Sequence, residues 1–422
     1  MDNRYTIQNV IDYIENNLNA EISIDELLLM SEYSYTHFCR LFSLYVGLSP
    51  HKYITRRKLI NAVYDMSKGI SQIDIALTYG FETYAGFYKA FKREFNCSPS
   101  NFKKLHNGEK PYRINILQEE HIMISKTKIQ KLLLNWGLHK ETVANIYNIN
   151  TGRQNENAYY IGENYVIKFT ANLGSIKNNI LITNKLYNAG LPVAEIVKTT
   201  DGFDYIQSGE LYFILTKRIS GCTLLCENIF NNEGIAFTIG ESIAKLHNAL
   251  KTIETNDYNE ANILNDVQIN INRINKLINI NYDFIQEFSA VYNELPKQII
   301  HRDINPSNMI FESERFKGFI DFDLTEINIR IFDICYCATA ILSECFTNDK
   351  IDNNKWIDVF NKILNGYESI SPLTIEEKQA LPFVIYSIQI ICIEYFSKFD
   401  KYKDLAKTNI DMLKWLFENL KL

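Results

Sequence analysis

The chain lacks any run of about 18 uncharged apolar residues, so the sequence predicts no transmembrane helix. It also lacks an apolar signal segment: residues 1–17 form an acidic amphipathic pattern, which argues against secretion and leads us to expect a cytoplasmic protein. No two cysteines have the C-x-x-C spacing of a zinc site, so we expect all 8 to be reduced. The net charge of −6 means that any DNA binding must come from a local basic face.

The 422 residues are too many for one hydrophobic core and predict two or three domains. Helix-period apolar patterns fill residues 5–105 and stop at 106–113, a segment with Gly, Pro and charge. Strand-like segments begin only afterwards, at 157–170 and 211–219. The sequence therefore predicts a multidomain chain, all-α first and α+β second. The predicted bounds are 1–107 for the all-α domain, 108–126 for a linker and 127–422 for the α+β domain, with lobes of about 127–218 and 219–422.

The first domain contains two copies of one helical unit. Residues of matching type recur at a fixed offset of 49 residues, as from Ile24 to Ile73. The positions in the first copy are Ile24, Asp25, Leu28, Tyr35, Phe38, Phe42, Ser49, Pro50 and Tyr53, and those in the second are Ile73, Asp74, Leu77, Tyr84, Phe87, Phe91, Ser98, Pro99 and Phe102. Each copy has the pattern of a helix-turn-helix: a short helix, a turn and a second helix.

The second helix of each copy has an apolar stripe and a polar side. The i, i+4 pairs Phe38/Phe42 and Phe87/Phe91 predict the buried stripe. Cationic side chains lie off this stripe, where they face solvent or phosphate. They are Arg40 in the first helix and Lys89, Lys92 and Arg93 in the second.

The two turns differ in composition. Gly80 suits the tight turn of the second copy, because glycine adopts positive φ at little cost. Glu32 occupies the corresponding place in the first copy. We therefore expect the first turn to be made differently or less well.

Two motifs and one arginine identify the family that the first domain resembles. They are I-D-I-A-L-T-Y-G-F (73–81), F-Y-K-A-F-K-R-E-F-N-C-S-P (87–99) and Arg56 on the helix that joins the copies. Residues 5–105 resemble the DNA-binding domain of the AraC/XylS transcription regulators, which implies two recognition helices in major-groove turns of double-stranded DNA roughly 34 Å apart. The resemblance assigns DNA contacts to Tyr35, Thr36, His37, Arg40, Thr83, Tyr84, Lys89, Lys92 and Arg93. The alternative is a helical protein-interaction module, since tandem helical repeats also serve that purpose.

A second informative segment is I-I-H-R-D-I-N-P-S-N-M-I-F (299–311), followed by G-F-I-D-F-D-L (318–324). Phosphoryl transfer needs a carboxylate near the acceptor hydroxyl and ligands that hold Mg²⁺ on the nucleotide phosphates. Asp303, five residues before Asn308, and Asp321, at the end of a short apolar strand, supply that set. The alternative is a solvated loop with capping side chains, since Asp and Asn are common in turns.

The order of His-x-Asp, Asn, strand and Asp resembles the aminoglycoside phosphotransferase family, bilobal kinase-like enzymes that act on small molecules. The resemblance implies Mg²⁺ and ATP or GTP as cofactors and a small-molecule ligand or substrate. It assigns the catalytic base to Asp303 and Mg²⁺ ligation to Asn308 and Asp321. It also assigns the bracing of the catalytic loop to His301 and Asp333.

The same resemblance places a further set of residues at the nucleotide. These are Gly152, Asn155, Lys168, Thr216 and Arg218. Lys168 stands where the phosphate-contacting lysine of the third strand belongs, and the glycine-poor loop 150–155 would cover the phosphates. The helix that should carry a glutamate partner for Lys168 has Asn179 near that place. An asparagine can hydrogen-bond the lysine but cannot neutralise it.

Three functional hypotheses follow. The leading one is a transcription regulator whose C-terminal domain recognises a small molecule, with or without phosphorylating it, and biases how the N-terminal domain meets DNA. The second is an ATP-dependent phosphotransferase for an aminoglycoside, amino alcohol or sugar, with an accessory DNA-binding domain. The third is an inactive ligand sensor with a kinase fold, for which Asn179 is the main support. No membrane partner is expected under any of them.

Overall fold

The computed structural model describes residues 3–105, 110–118, 123–148, 154–254, 258, 260–277, 283–348 and 351–420. These residues fall into two compact units. The first unit comprises Met1–Lys168 with Lys198–Phe203, and the second comprises Phe169–Val197 with Asp204–Leu422. The first unit therefore includes, besides the helical repeat, strands that the sequence assigns to the N-terminal lobe.

The N-terminal part of the first unit is helical. Its helices are α1 Asn3–Asn16, α2 Ile24–Ser31, α3 Tyr35–Val46, α4 Pro50–Ser67, α5 Gln72–Thr78, α6 Tyr84–Phe95, α7 Pro99–Leu105 and α8 Lys126–Leu132. Local sequence explains where they start: Ser23 and Glu26 form a capping box at α2, and Pro50 opens α4. The pairs α2–α3 and α5–α6 are the two predicted helix-turn-helix units.

The aromatic stripe of α3 and α6 lies in the core of this helical part. Phe38, Phe42, Phe87 and Phe91 have no exposed surface, and each contributes roughly 1.5–3 kcal/mol by its burial. The ring centroids are 5.8 Å apart in the first pair and 5.6 Å apart in the second. The predicted buried stripe is confirmed.

Both helix-turn-helix units turn through a left-handed residue. Gly80 has φ 71°, as expected from its sequence. Glu32 has φ 57°, and its N–H donates to the carbonyl of Leu28 at 2.9 Å to close α2. Of the two expected outcomes for the first turn, the structure shows the second: the conformation is the same, but the non-glycine residue adopts it at a cost of about 1–2 kcal/mol.

The segment after α7 packs back onto the helices. Gln8 of α1 binds its backbone twice: Nε2 donates to the carbonyl of Ile114 at 3.0 Å, and Oε1 accepts the N–H of Ile116 at 2.8 Å. Both isoleucine side chains are buried in the core that contains α1. Further along, the N–H of Met123 donates to the carbonyl of Val46 at 2.9 Å. The described parts of the predicted linker therefore belong to the helical core.

Three antiparallel strands follow in the first unit. They are β1 Val143–Tyr147, β2 Gln154–Ile161 and β3 Tyr165–Thr170, whose last two residues already belong to the second unit. Val143 lies opposite Ile161, and Ala158 lies opposite Lys168.

Strand β1 lies against the second helix-turn-helix unit. The ring of Tyr147 packs edge-on against Phe102 of α7, with the centroids 5.2 Å apart. Asn96, the residue after α6, donates from its side chain to the carbonyl of Val143 at 3.0 Å. The C-terminal end of α6 is thus held by a strand of the predicted kinase-like domain.

The second unit contains helices and short antiparallel strands. Its helices are α9 Leu173–Asn188, α10 Cys226–Asn231, α11 Glu233–Leu250, α12 Ile263–Ile274, α13 Asp283–Tyr292, α14 Ile331–Cys345, α15 Trp356–Glu368, α16 Ile375–Phe396 and α17 Lys403–Asn419. Its strands are β4 Ile206–Ser208, β5 Leu211–Lys217, β6 Lys297–Ile300, β7 Met309–Glu312, β8 Arg315–Phe319 and β9 Glu326–Ile329, paired as β4–β5, β6–β9 and β7–β8. The predicted order, all-α before α+β, is confirmed.

Helices α11 and α15 cross closely because each has a glycine at the crossing. A Cβ atom on Gly240 would lie 1.9 Å from the carbonyl oxygen of Ile363, and one on Gly366 would lie 2.0 Å from that of Phe237. Any side chain at either position would force the helices apart. This crossing fixes α11, which carries His247 toward the catalytic loop described below.

Helix α16 is long and apolar enough to cross a membrane, but 67% of its apolar window is buried inside the unit. Its middle residues, from Val384 to Ile390, are all buried against neighbouring elements. The helix is therefore a core element of the second unit.

Two cysteines depart from the expectation of reduced thiols. Cys226 of α10 and Cys345 of α14 form a disulfide with their Cα atoms 6.2 Å apart. The pair is 119 residues apart in the chain, so only the packing of the two helices brings it together. The expectation is wrong for this pair.

Candidate functional site

The side chains predicted to contact DNA lie at the beginning and along one side of α3 and α6. Those that are exposed are Tyr35, Thr36, Arg40, Thr83, Tyr84, Lys89, Lys92 and Arg93. His37 is half-buried. Recognition helices contact base edges with their N-terminal residues, and this arrangement leaves those residues outside the core.

Three of these residues also stabilise the helix starts. Thr83 caps α6 by accepting the N–H of Gly86 at 3.1 Å, and the hydroxyl of Tyr84 donates to Gln72 Oε1 at 2.7 Å. The His37 ring lies edge-on to Tyr33 with centroids 4.8 Å apart. A substitution at any of the three would therefore change the helix start as well as any DNA contact.

Arg56, which carries part of the resemblance, faces inward. Its Nε lies 3.4 Å from a carboxylate oxygen of Glu94, and the arginine side chain is only 10% exposed. It joins α4 to α6. It therefore ties the helix between the two units to the second helix of the second unit.

In the second unit, Asp333 fixes the backbone of the predicted catalytic loop. Its Oδ2 accepts the N–H of His301 and its Oδ1 accepts the N–H of Arg302, both at 2.8 Å. Oδ2 also lies 3.0 Å from Nε2 of His247 on α11. These bonds hold Arg302 at φ 71°, a left-handed conformation that costs roughly 1–3 kcal/mol and needs such support.

His301 ties the same loop to the segment before Asp321. Its ring is fully buried, and Nδ1 accepts the N–H of Asp303 at 3.3 Å. Nε2 must then carry the proton, which it donates to the carbonyl of Ile320 at 3.1 Å. His301 therefore links the backbone of Asp303 to the carbonyl of Ile320.

The carboxylate of Asp303 accepts three side-chain hydrogen bonds. Oδ1 accepts from Nδ2 of Asn305 and from the hydroxyl of Tyr336, and Oδ2 accepts from Nδ2 of Asn308, all at 2.9 Å. Burial raises the pKa of Asp303 above its ordinary value, while the hydrogen bonds from Tyr336 and Asn305 oppose the rise. A carboxylate with a raised pKa is a stronger base, which suits proton abstraction from a hydroxyl.

Asn308 and Asp321 have side-chain oxygens of the kind that can bind a hard cation. Nδ2 of Asn308 donates to both the backbone and the carboxylate oxygen of Asp303 at 2.9 Å, so its amide oxygen faces away from that residue. The N–H of Ile320, next to Asp321, donates to the carbonyl of Asn308 at 3.1 Å. In the part of the chain that the structure describes, no group of three or more His, Cys, Asp or Glu forms a metal site. The two residues fit a cation that also binds phosphates, as Mg²⁺ does.

Asn179 of α9 binds the same segment. Its Nδ2 donates to Asp323 at 2.5 Å, and its Oδ1 accepts the hydroxyl of Thr183 at 3.1 Å. Asn179 is buried, so these bonds satisfy a side chain that would otherwise be costly to bury. Asn179, which stands near the predicted site of the lysine's glutamate partner, therefore contacts the segment from Asp321 to Asp323.

The predicted nucleotide contacts are distributed over both units. Lys168 lies half-buried on β3 of the first unit, and Asn155 lies exposed on β2. In the second unit, Thr216 lies near the end of β5 and Arg218 follows it. Gly152 falls outside the described residues.

Sequence reasoning missed the residues that reach the loop from neighbouring helices. His247 comes from α11; its Nδ1 accepts from the hydroxyl of Tyr367 at 2.9 Å, which leaves Nε2 to donate to Asp333. Tyr336 comes from α14. Only the i, i+3 spacing of Asp333 and Tyr336 could have indicated that both side chains face the loop.

Two family models match the chain. A helix-turn-helix domain model matches residues 30–105, and the model of the phosphotransferase enzyme family matches residues 149–370, more than half of the chain. These matches agree with the two resemblances drawn from the motifs.

Curated relatives match one part of the chain at a time. The probable transcription factor PqrA of Proteus vulgaris is 34% identical over 108 residues, 25% of this chain and 87% of that protein. A homoserine kinase of Sinorhizobium medicae (strain WSM419) is 38% identical over 90 residues, 21% of this chain and only 26% of that protein. Among solved structures, amicoumacin kinase hAmiN in complex with AMP-PNP, Ca²⁺ and Ami is 14% identical with a TM-score of 0.51, covering 69% of this chain and 93% of that one. The last likeness shows that the second domain has the small-molecule kinase fold.

Proposed function

Because the chain belongs to the phosphotransferase enzyme family and carries an AraC-type helix-turn-helix domain, we propose that it is a cytoplasmic, sequence-specific transcription regulator that phosphorylates a small-molecule alcohol. The observation that carries the enzymatic part is the complete hydrogen-bond network around Asp303. A degenerate loop would have no reason to keep a half-buried carboxylate with three side-chain donors, since withdrawing a charged group from water is costly unless it is hydrogen-bonded.

Each residue of the loop has a proposed role. Asp303 orients the acceptor hydroxyl and takes its proton, while His301 and Asp333 hold the loop in place. Asn308 and Asp321 hold Mg²⁺, which supplies charge neutralisation on the phosphates of ATP or GTP when bound. The nucleotide contacts proposed by resemblance are Asn155, Lys168, Thr216 and Arg218.

The DNA-binding part is supported by the exposed side of the two recognition helices. Lys89, Lys92 and Arg93 on α6 would contact phosphates, and Thr36 on α3 would be available to contact a base edge. The contact of β1 with α6 and α7 offers a route by which the kinase-like domain influences DNA binding. We propose that the small-molecule reaction and DNA binding regulate each other by this route.

A second candidate is a ligand sensor that binds nucleotide without transferring phosphate. It is favoured by Asn179, since the helix that would carry a glutamate partner for the phosphate-binding lysine has an amide engaged with Asp323 instead. The two candidates differ in turnover and agree in nucleotide binding.

Calorimetric titration with ATP and Mg²⁺, together with a transfer assay against amino alcohols, aminoglycosides and sugars, separates them. Asp303→Asn should keep nucleotide affinity and lower turnover by about 10²–10⁴-fold, because the base touches the acceptor rather than the nucleotide. Asp321→Asn should weaken both, because a neutral amide is a poorer ligand for a hard dication. Asp358→Asn on the exposed side of α15 is the matched control and should change neither.

Wild-type binding without transfer to any acceptor would favour the sensor. Equal loss of nucleotide affinity in the Asp303 and Asp321 variants would contradict the proposed roles. Absence of nucleotide binding in the wild type would remove both candidates and leave the DNA-binding function alone.

A further inference from the structure

The two oxygens of the Asp303 carboxylate are not equivalent. Oδ1 accepts hydrogen bonds from Asn305 and Tyr336, whereas Oδ2 accepts one from Asn308. Each carboxylate oxygen has two lone pairs. Among the residues that the structure describes, Oδ1 is therefore saturated and Oδ2 keeps one lone pair.

The residue that completes the set on Oδ1 is rigidly held. Tyr336 lies on α14, three residues after Asp333, so the helix that binds the loop backbone also delivers the hydroxyl. Its ring stacks on Phe332 with centroids 5.8 Å apart and an interplanar angle of 11°. This stack restrains the ring that carries the hydroxyl.

We propose that Tyr336 is a positioning residue for phosphoryl transfer: it saturates Oδ1 of Asp303 and leaves Oδ2 as the single oxygen that takes the acceptor proton. This inference rests on the proposed phosphotransferase function. It assigns the base to one atom rather than to a carboxylate that could present either oxygen.

The step balances with ATP and the acceptor alcohol as the two reactants. The acceptor oxygen forms a bond with the γ-phosphorus, and the bond from that phosphorus to the β,γ-bridging oxygen breaks. ADP leaves with the electron pair of that bond, and the acceptor proton moves to Oδ2 of Asp303. Rotation of the carboxylate would place Oδ1 at the acceptor instead, and the bonds from Tyr336 and Asn305 oppose it.

Tyr336→Phe removes the hydroxyl and keeps the stacked ring. Oδ1 then has an open lone pair, and an acceptor hydroxyl can bind it in an unproductive orientation. We expect kcat to fall about tenfold or more while nucleotide affinity stays unchanged, since loss of orientation acts on the reacting atoms alone.

Two measurements on the full-length chain test this. The first is kcat and the KM for ATP, with water as the acceptor in phosphate release from Mg²⁺·ATP and with any acceptor found in the transfer assay. The second is a double-mutant cycle in denaturant unfolding, with Tyr336→Phe, Asp303→Ala and the double variant. The double variant should shift the unfolding midpoint by less than the sum of the two single shifts. Tyr386→Phe is the matched control: its hydroxyl donates to the carbonyl of Leu420 at 3.1 Å, so the variant removes a comparable bond away from the loop.

Two results together support the inference. Tyr336→Phe lowers kcat with unchanged nucleotide affinity, and the midpoint shifts in the cycle with Asp303→Ala are non-additive for Tyr336→Phe and additive for Tyr386→Phe. Additive midpoints for Tyr336, or unchanged kcat in an active protein, overturn it. A wild type that shows no turnover at all while the midpoints remain non-additive refutes the proposed enzymatic function and, with it, the positioning role of Tyr336, although the hydrogen bond itself stands.

Discussion

At the scale of single residues, Glu32 and Gly80 show how two copies of one motif meet the same backbone requirement with different side chains. A Cβ atom on Gly80 would contact only Lys58 Nζ at 3.4 Å, so the preference for glycine there is conformational rather than steric. Glu32→Gly should relieve about 1–2 kcal/mol of left-handed strain and cost about 0.5–1 kcal/mol in unfolded-state entropy. We expect a net gain of about 0.5–1 kcal/mol in the free energy of unfolding.

Gly80→Ala is the reciprocal change and should lower the free energy of unfolding by about 1 kcal/mol, because alanine, unlike glycine, is strained in the left-handed conformation. Denaturant unfolding of the two variants and the wild type measures both values. Equal destabilisation by both changes would mean that the Glu32 side chain stabilises its turn by an interaction that outweighs the strain.

At the scale of elements, the segment between the helical repeat and β1 ends the helical pattern and packs into the helical core. Its sequence predicts the first property and not the second. Gly108 and Pro111 correctly indicate the end of the helical pattern. The alternation of Ile114 and Ile116 is too short to indicate burial, and their packing depends on Gln8, more than 100 residues earlier. Local composition cannot encode a contact over that separation.

Truncation tests the contribution of this segment. A fragment ending at residue 107 would expose the core surface that Ile114, Ile116 and Met123 cover, whereas a fragment ending at residue 125 retains it. Loss of two to three buried apolar side chains at roughly 1.5–3 kcal/mol each should make the shorter fragment much less stable. Thermal unfolding of both fragments, followed by circular dichroism, measures the difference; equal midpoints would show that the segment only lies on the surface of a finished core.

At the scale of the whole molecule, the sequence predicted both families and the order of the domains, because each motif is contiguous: Asp303, Asn308 and Asp321 lie within 19 residues. It did not predict His247 or Tyr336 at the loop, since these come from helices whose approach depends on the α11–α15 crossing and on the packing of α14. Nor did it predict the Cys226–Cys345 disulfide. What the sequence failed to indicate was in each case a contact between elements distant in the chain.

The charge distribution of the whole molecule gives a further prediction. A net charge of −6 repels DNA, so attraction depends on the local cations Lys89, Lys92 and Arg93. When all three are replaced by Ala, the plot of log affinity for duplex DNA against log salt concentration should become shallower. Its slope should change by roughly 0.9 for each phosphate that the variant no longer neutralises. Fluorescence anisotropy over a salt series measures the slope.

The matched control is the triple replacement by Ala of Lys185, Lys245 and Lys355, exposed lysines of the second unit, which makes the same change in net charge. The control should keep the wild-type slope. If the two triple variants behave alike, total charge rather than α6 determines binding.

The packing of Met123 against Val46 has a consequence for the order of events during synthesis. The ribosome releases α1 to α7 first, and Ile114, Ile116 and Met123, which belong to the same core, follow later. At ~5–20 residues per second, the stretch from residue 106 to 124 takes roughly one to four seconds to make. A nascent chain therefore acquires its DNA-binding surface only as translation enters the kinase-like domain. Translation that stops before this point should yield no fragment able to compete with the finished regulator for its operator.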